Sequence, residues 1–189
     1  ECVTVPSKVR ILNETYWAVP NLRKAIILTD KLDRIGDLAF YGCAKLEEVN
    51  IPDGVSQIGE GAFCWNLKLH KINIPSSVTR IEGSAFDSAP LDSIDIPAGV
   101  TLIGRNAFCN NRNLKKVYSR PITPPKTNEP TAISPYLPFL HSADEAILYV
   151  PKGSADAYRA SEVFAGFKEI VELEAWQWPT SISTPTMPT

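Results

Sequence analysis

Apolar positions along this chain recur in a fixed frame. The pattern Ile-Gly/Glu-x-x-Ala-Phe occurs four times, at Ile35–Phe40, Ile58–Phe63, Ile81–Phe86 and Ile103–Phe108. Its phenylalanines lie 23, 23 and 22 residues apart. A leucine follows each block (Leu46, Leu69, Leu91, Leu114), then a β-branched residue (Val49, Ile72, Ile94, Val117). In the unit Leu46-Glu47-Glu48-Val49-Asn50-Ile51-Pro52, Leu46, Val49 and Ile51 take inward positions of a short strand while Glu48 and Asn50 point outward. Pro52 has no N–H to give a ladder, so it marks the strand's end, as do Pro75 and Pro97. The chain then returns through Val55, Ile58, Ala62 and Phe63, the opposite wall of a flat coil. One such coil cannot bury its apolar face alone, so coils must stack.

A period of 20–29 residues carrying L-x-x-[IV]-x-[IL] predicts a leucine-rich repeat solenoid. Such a fold is mostly β with minor α: a short parallel sheet on one face, turns or short strands on the other, and a C-terminal strand–helix cap. The expected organisation is an N-terminal cap and partial repeat over 1–30, repeats over 31–120, a C-terminal excursion and cap over 121–173, and a Pro/Thr/Ser-rich tail or linker over 174–189. In the partial repeat Ile26, Leu28 and Leu32 are matched to Val49, Ile51 and Val55. The proline-rich stretch 121–146, broken at Ser134-Pro135 and Leu137-Pro138, reads as a long excursion rejoining the sheet at Ile147. Pro151-Lys152-Gly153-Ser154 then opens a helix to about Ser161, with Ala155, Tyr158 and Ala160 among its inward positions. Cys43, Asn66 and Asn111 share one turn position, where a small polar side chain can bond the backbone of adjacent coils.

Composition narrows the chemistry. With 19 basic and 21 acidic residues, the chain lacks the basic excess of a nucleic-acid surface. Its longest apolar runs fall far short of the roughly 20 residues that span a bilayer. The first residue is Glu1 rather than Met, as after a processed leader. Cys2, Cys43, Cys64 and Cys109 are too sparse for a disulfide framework. Cys64 and Cys109 stand two coils apart, about 9–10 Å at ordinary strand spacing and beyond the roughly 7 Å reach of a bridge. Buried thiols are expected instead. With only His70 and His141 and no metal-ligand spacing, neither a metal nor any other cofactor is indicated. His70 occupies the position of Glu47, Asp92 and Lys115, a surface variant with no nucleophile or acid–base partner placed beside it. No enzyme is expected.

The candidate binding residues are the outward columns of the sheet. One runs Glu48, Lys71, Ser93, Lys116; its neighbour runs Asn50, Asn73, Asp95, Tyr118. Solenoids present such extended faces to partners, though alternating charge also suits a plainly solvated sheet. Trp65 is the other candidate: a tryptophan in a turn where Gly42 and Asn110 stand, either an interface anchor or a cover for a neighbouring coil. Trp176 and Trp178 are expected to dock on the closing helix or to meet a further domain. Asp87-Ser88-Ala89 and Asp92-Ser93-Ile94 match a three-residue O-glycosylation pattern, and Asn13-Glu14-Thr15 an N-glycan acceptor.

The repeat resembles the BspA-like branch of leucine-rich repeats: Leu69-His70-Lys71-Ile72-Asn73-Ile74-Pro75, then Val78, Ile81, Ala85 and Phe86, follow its consensus, with Glu82 in place of the usual glycine. The end, Leu148-Tyr149-Val150-Pro151-Lys152-Gly153-Ser154 with Phe167-Lys168-Glu169-Ile170, is similar to the same family's closure. The resemblance implies a cell-surface or secreted bacterial protein, some members of the family being adhesive. The expectation is an exported, monomeric, non-enzymatic recognition module that binds a protein or a host or bacterial surface ligand through the sheet face. Glycan or nutrient capture, with sugars on Tyr118 and Trp65, and a passive spacer are the alternatives.

Overall fold

The computed structural model describes residues 1–6, 11–29, 31–127, 137–164 and 166–180. The tail residues 181–189 and the expected break at Ser134-Pro135 lie outside them. The chain is a parallel β-solenoid of about seven turns with very little helix. Two ladders of strands run along it, one on each side of the core.

The first ladder holds the Leu-x-x-Ile-x-Ile segments. It falls into two parallel sheets, ordered β1 (Cys2–Val5), β3 (Lys24–Ile27), β5 (Glu48–Val49) and β8 (Ser93–Ile96), β10 (Lys116–Ser119), β11 (Ile147–Pro151), β12 (Glu169–Leu173). Between them the coil of residues 69–75 has no assigned strand, yet Leu69, Ile72 and Ile74 stay buried. The second ladder is a row of two-residue strands: β2 (Ile11–Leu12), β4 (Arg34–Ile35), β6 (Gln57–Ile58), β7 (Arg80–Ile81) and β9 (Leu102–Ile103). Pro52, Pro75 and Pro97 close the first-ladder strands, each carbonyl accepting the N–H of a valine three residues on. The core between the ladders is aliphatic: Leu46, Val55, Ile58, Ile81, Leu91 and Ile103 are fully buried.

The third side is the Ala-Phe corner. Tyr16, Phe40, Phe63, Phe86, Phe108 and Phe139 form one file, with successive ring centroids 5.0–5.4 Å apart and planes within 13° of parallel. Two residues before and two after the aromatic, the backbone turns left-handed: Leu38 and Gly42, Gly61 and Trp65, Ser84 and Ser88, Asn106 and Asn110 all have φ between 52° and 69°. Alternate N–H groups therefore point the same way along the axis; those of Leu38, Phe40 and Gly42 donate to Glu60, Ala62 and Cys64 of the next coil. Where the ladders turn toward this corner, coils approach so closely that a Cβ on Gly59 or Gly104 would overlap the preceding coil's backbone. At the corresponding Glu82 the side chain instead accepts hydrogen bonds from Gln57 and Arg80.

Two elements differ from the sequence reading. In the first coil Ala25 and Ile27, not Ile26 and Leu28, pair with the inward line of Val49 and stay buried, while Leu28 is half exposed. One extra residue between strand and Leu32 accounts for this, since a slip of one flips every side chain to the other face. The stretch 121–146 also re-enters the stack well before Ile147: Lys126 bridges to Leu102 in the second ladder and Phe139 joins the aromatic file.

The stack closes on α1 (Ala155–Arg159) and a 3-10 turn at Glu162–Phe164. Tyr158 is fully buried, its hydroxyl hydrogen-bonded with Ser119 and the Pro121 carbonyl, whereas Ala160 is exposed. Phe164 and Phe167 pack on Phe139 and end the file. Among the described residues no helix is long and apolar enough to cross a membrane.

Candidate recognition surface

The strands place two outward columns on the face of the first ladder. In one, Lys24 and Glu48 are register partners and ion-paired at 2.8 Å, and Ser93 and Lys116 are register partners further along. Lys71 and Lys116 are exposed and enter no ion pair among the described residues. In the row beside this column Arg23 pairs with Glu47 at 2.8 Å and Lys115 with Glu145 at 3.0 Å, and His70 lies 3.8 Å from Asp92. Asp92, Ser93, Arg112, Asn113, Lys115 and Lys116 surround a shallow depression of about 520 Å³ at the column's edge. This part of the face is cationic and open.

The second column is largely occupied by its own neighbours. Asn50 bonds the Ile27 backbone twice, accepting its N–H at 2.7 Å and donating to its carbonyl at 2.9 Å. Asp95 accepts two hydrogen bonds from Arg120, each 2.6 Å. These bonds push the Arg120 pKa above its ordinary value, against the opposing effect of partial burial. Tyr118 stacks on Tyr149 at 4.8 Å and meets Trp178 edge-on at 6.3 Å. The Arg120 guanidinium lies 5.1 Å from the centre of the Trp178 ring and donates to the Pro179 carbonyl. On this column only Asn73, half-buried, makes no side-chain hydrogen bond, ion pair or ring contact among the described residues.

Docking of the tail tryptophans on the closing helix, one of the two expected outcomes, is thus corrected. Trp178 is drawn across the sheet face by the Arg120 cation and Tyr118, and Trp176 is 81% exposed. Sequence reasoning missed Tyr149, Arg120 and Lys24. Tyr149 was findable, because Leu148-Tyr149-Val150-Pro151 repeats the in–out–in–Pro order of Ile94–Pro97.

Trp65 is not part of this face. It sits at the corner turn with φ +60° and is 51% exposed, at the position where the other coils carry Ala18, Gly42, Ser88, Asn110 and His141. A bulky residue held there costs about 1–3 kcal/mol. The shared turn position divides. Buried Asn111 donates to the carbonyls of Phe86 and Cys109 and accepts the Leu91 N–H, as an inter-coil ladder requires. Asn66 is equally buried, but neither end of its amide finds a partner. At the two glycosylation-like patterns, Ser88 donates to Asp87 at 3.0 Å and Ser93 is a half-buried strand residue.

Cys43, Cys64 and Cys109 are free and buried, and Cys2 is free and exposed. Burial, with the charges of Asp87 and Cys109 added, pushes the Cys64 thiol up to about 12. No cluster of three or more His, Cys, Asp or Glu side chains suited to a metal occurs among the described residues.

A BspA type leucine rich repeat region matches residues 1–121 in six copies. A leucine rich repeat protein from T. pallidum has the same fold, at 22% identity and TM-score 0.61, over 92% of this chain and 70% of that one. The pneumococcal vaccine antigen PcpA aligns at 19% identity and TM-score 0.69, over 92% of this chain and 41% of its own. A leucine rich cell surface protein from Faecalibacterium prausnitzii aligns at 23% and 0.50, over 92% and 60%. No curated protein matches. The chain thus spans less than two thirds of the second and third of these structures.

Proposed function

The chain belongs to the BspA-type leucine-rich repeat family, and from that premise we propose that it is a cell-surface or exported recognition module. It has no catalytic role and binds an acidic segment of a protein partner on the open part of the first-ladder face. A repeat family of interaction modules, and a structural neighbour described as a cell surface protein, support the class of job and its place. The observation that carries the site is the pair of unneutralised lysines. Neighbouring charges on the face are matched across strands, while Lys71 and Lys116 are left exposed on one column, and Lys116 lines a depression with Arg112, Asp92 and the Glu145-paired Lys115. An unpaired cation row steers and orients an anionic partner more than it stabilises the fold.

The test is a surface-protein array probed with wild type and with the double variant Lys71→Glu, Lys116→Glu. The reading predicts saturable, salt-sensitive binding that falls at least tenfold on reversal of both charges, with no change in melting temperature. Binding that survives both reversals removes this face from the account.

A further inference from the structure

Two departures from the repeat fall on consecutive residues. Trp65 holds a left-handed turn position that the preceding coil gives to Gly42, and its indole enters no ring contact or hydrogen bond among the described residues. The next residue, Asn66, is buried with both amide atoms unpartnered, while Asn111 at the same position is fully bonded. The left-handed turn recurs at Ala18, Ser88, Asn110 and His141, so what sets this coil apart is an exposed, unpacked indole beside an unmet buried amide, which indicates selection for something other than folding.

The surroundings say what. On the two preceding coils the same corner carries Trp17, 55% exposed, and Tyr41, whose rings meet edge-on at 6.2 Å. Gly42 donates to the Cys64 carbonyl and Trp65 to that of Asp87, so these turns lie directly upon one another. On the following coils the corner becomes polar: Asp87 accepts from the Ser88 hydroxyl and the Asn110 amide, both at 3.0 Å.

We propose that this corner is a carbohydrate-binding strip that takes an extended, uncharged oligosaccharide along the solenoid axis. Sugar rings lay their C–H faces on Trp65, Tyr41 and Trp17, and hydroxyls reach Asp87 and Asn110. Flat aromatic faces beside a carboxylate and an amide are the chemistry that a saccharide, apolar on its faces and polar at its rim, requires. One exposed or half-buried aromatic stands on each of these three coils, directly after the file ring in Trp17 and Tyr41 and one residue later in Trp65, and the coils rise by 5.2–5.4 Å along the ring file, close to the length of one sugar unit in an extended chain. An extended peptide advances about 3.3 Å per residue and falls out of step with that spacing. The strip shares no residue with the lysine column, so it stands or falls independently of the protein-binding site.

The test titrates the whole chain with cellohexaose, xylohexaose, mannohexaose and chitohexaose, following tryptophan fluorescence and calorimetric heat. At least one hexasaccharide is expected to bind, and its disaccharide to bind at least tenfold more weakly. Trp65→Gly is expected to lose at least tenfold in affinity while melting no lower than wild type, and Trp17→Ala to lose severalfold. Lys71→Glu with Lys116→Glu should leave sugar binding unchanged. The proposal is overturned by silence with all four sugars or by wild-type affinity in Trp65→Gly. A Trp65→Gly protein that melts below wild type also overturns it, because Trp65 would then be a packing residue.

Discussion

Arg120, the residue that follows β10, reaches back to Asp95 on neighbouring β8 in a two-point ion pair, 2.6 Å on each arm. The same guanidinium holds Trp178 and the Pro179 carbonyl, so a single side chain ties the segment after β12 down onto the outer face of the sheet. The C-terminal end of that face is therefore covered from within the chain. What remains open lies toward Glu48, Lys71 and Lys116.

Arg120→Ala should release this strap. Chymotrypsin cleavage after Trp176 should accelerate severalfold, and stability should drop by about 1–2 kcal/mol, as expected for a partly buried, charge-assisted pair. Unaltered cleavage would mean that the segment is held by something other than Arg120.

Phe63 stacks between Phe40 and Phe86 with centroids 5.4 Å away on both sides. Phe63→Ala should cost about 3–5 kcal/mol in urea unfolding. Trp176→Ala, at an exposed position, should stay within about 0.5 kcal/mol of wild type. Similar losses for the two would deny the file its role in stability.

The two asparagines of the shared turn should behave oppositely. Asn111→Ala strands buried backbone groups and should cost about 1–3 kcal/mol. Asn66→Leu removes an amide that is already unpaired and should be neutral or stabilising. Thermal melts of the two variants decide this.

Two buried acids set a pH limit. Cys64 and Tyr158 have folded-state pKa values of about 12, raised mainly by burial from reference values of 9.0 and 10.0. A raised pKa keeps the neutral form in the fold, so its stabilising effect is complete below the unfolded value and vanishes as pH climbs through the folded one. Stability should be level up to about pH 9 and fall between 9 and 12 in chemical denaturation series. Cys64→Ala should flatten the start of that decline. In the native state at pH 8 a thiol reagent should modify Cys2 and spare Cys43, Cys64 and Cys109 until the chain unfolds.

The coil geometry was legible because it is written locally and four times over. Ile58, Ala62 and Phe63 recur at fixed spacing, and the spacing alone aligns the file. The first coil was harder to place, since Tyr16 replaces the phenylalanine and Ala25 gives a weak inward signal beside Ile26, inviting the one-residue slip. Phe139 was hidden because it follows the previous file member by 31 residues instead of 23. At the candidate site, the columns could be read from alternation, but their occupancy could not. That Arg120 reaches Asp95, or that Trp178 returns to Tyr118, depends on contacts between residues 25 and 60 positions apart, which no local pattern encodes. The strain at Trp65 was also invisible, because it lies in a backbone angle and not in the residue's identity.

The claim that the open first-ladder face receives the partner is tested most directly by site-specific photo-crosslinking. Benzoylphenylalanine is placed at Asn73, on that face, and separately at exposed Arg105, on the corner side. Irradiation on a surface preparation that binds the wild type should yield a discrete adduct from position 73 and none from 105. An adduct from 105 with nothing from 73 would contradict the account.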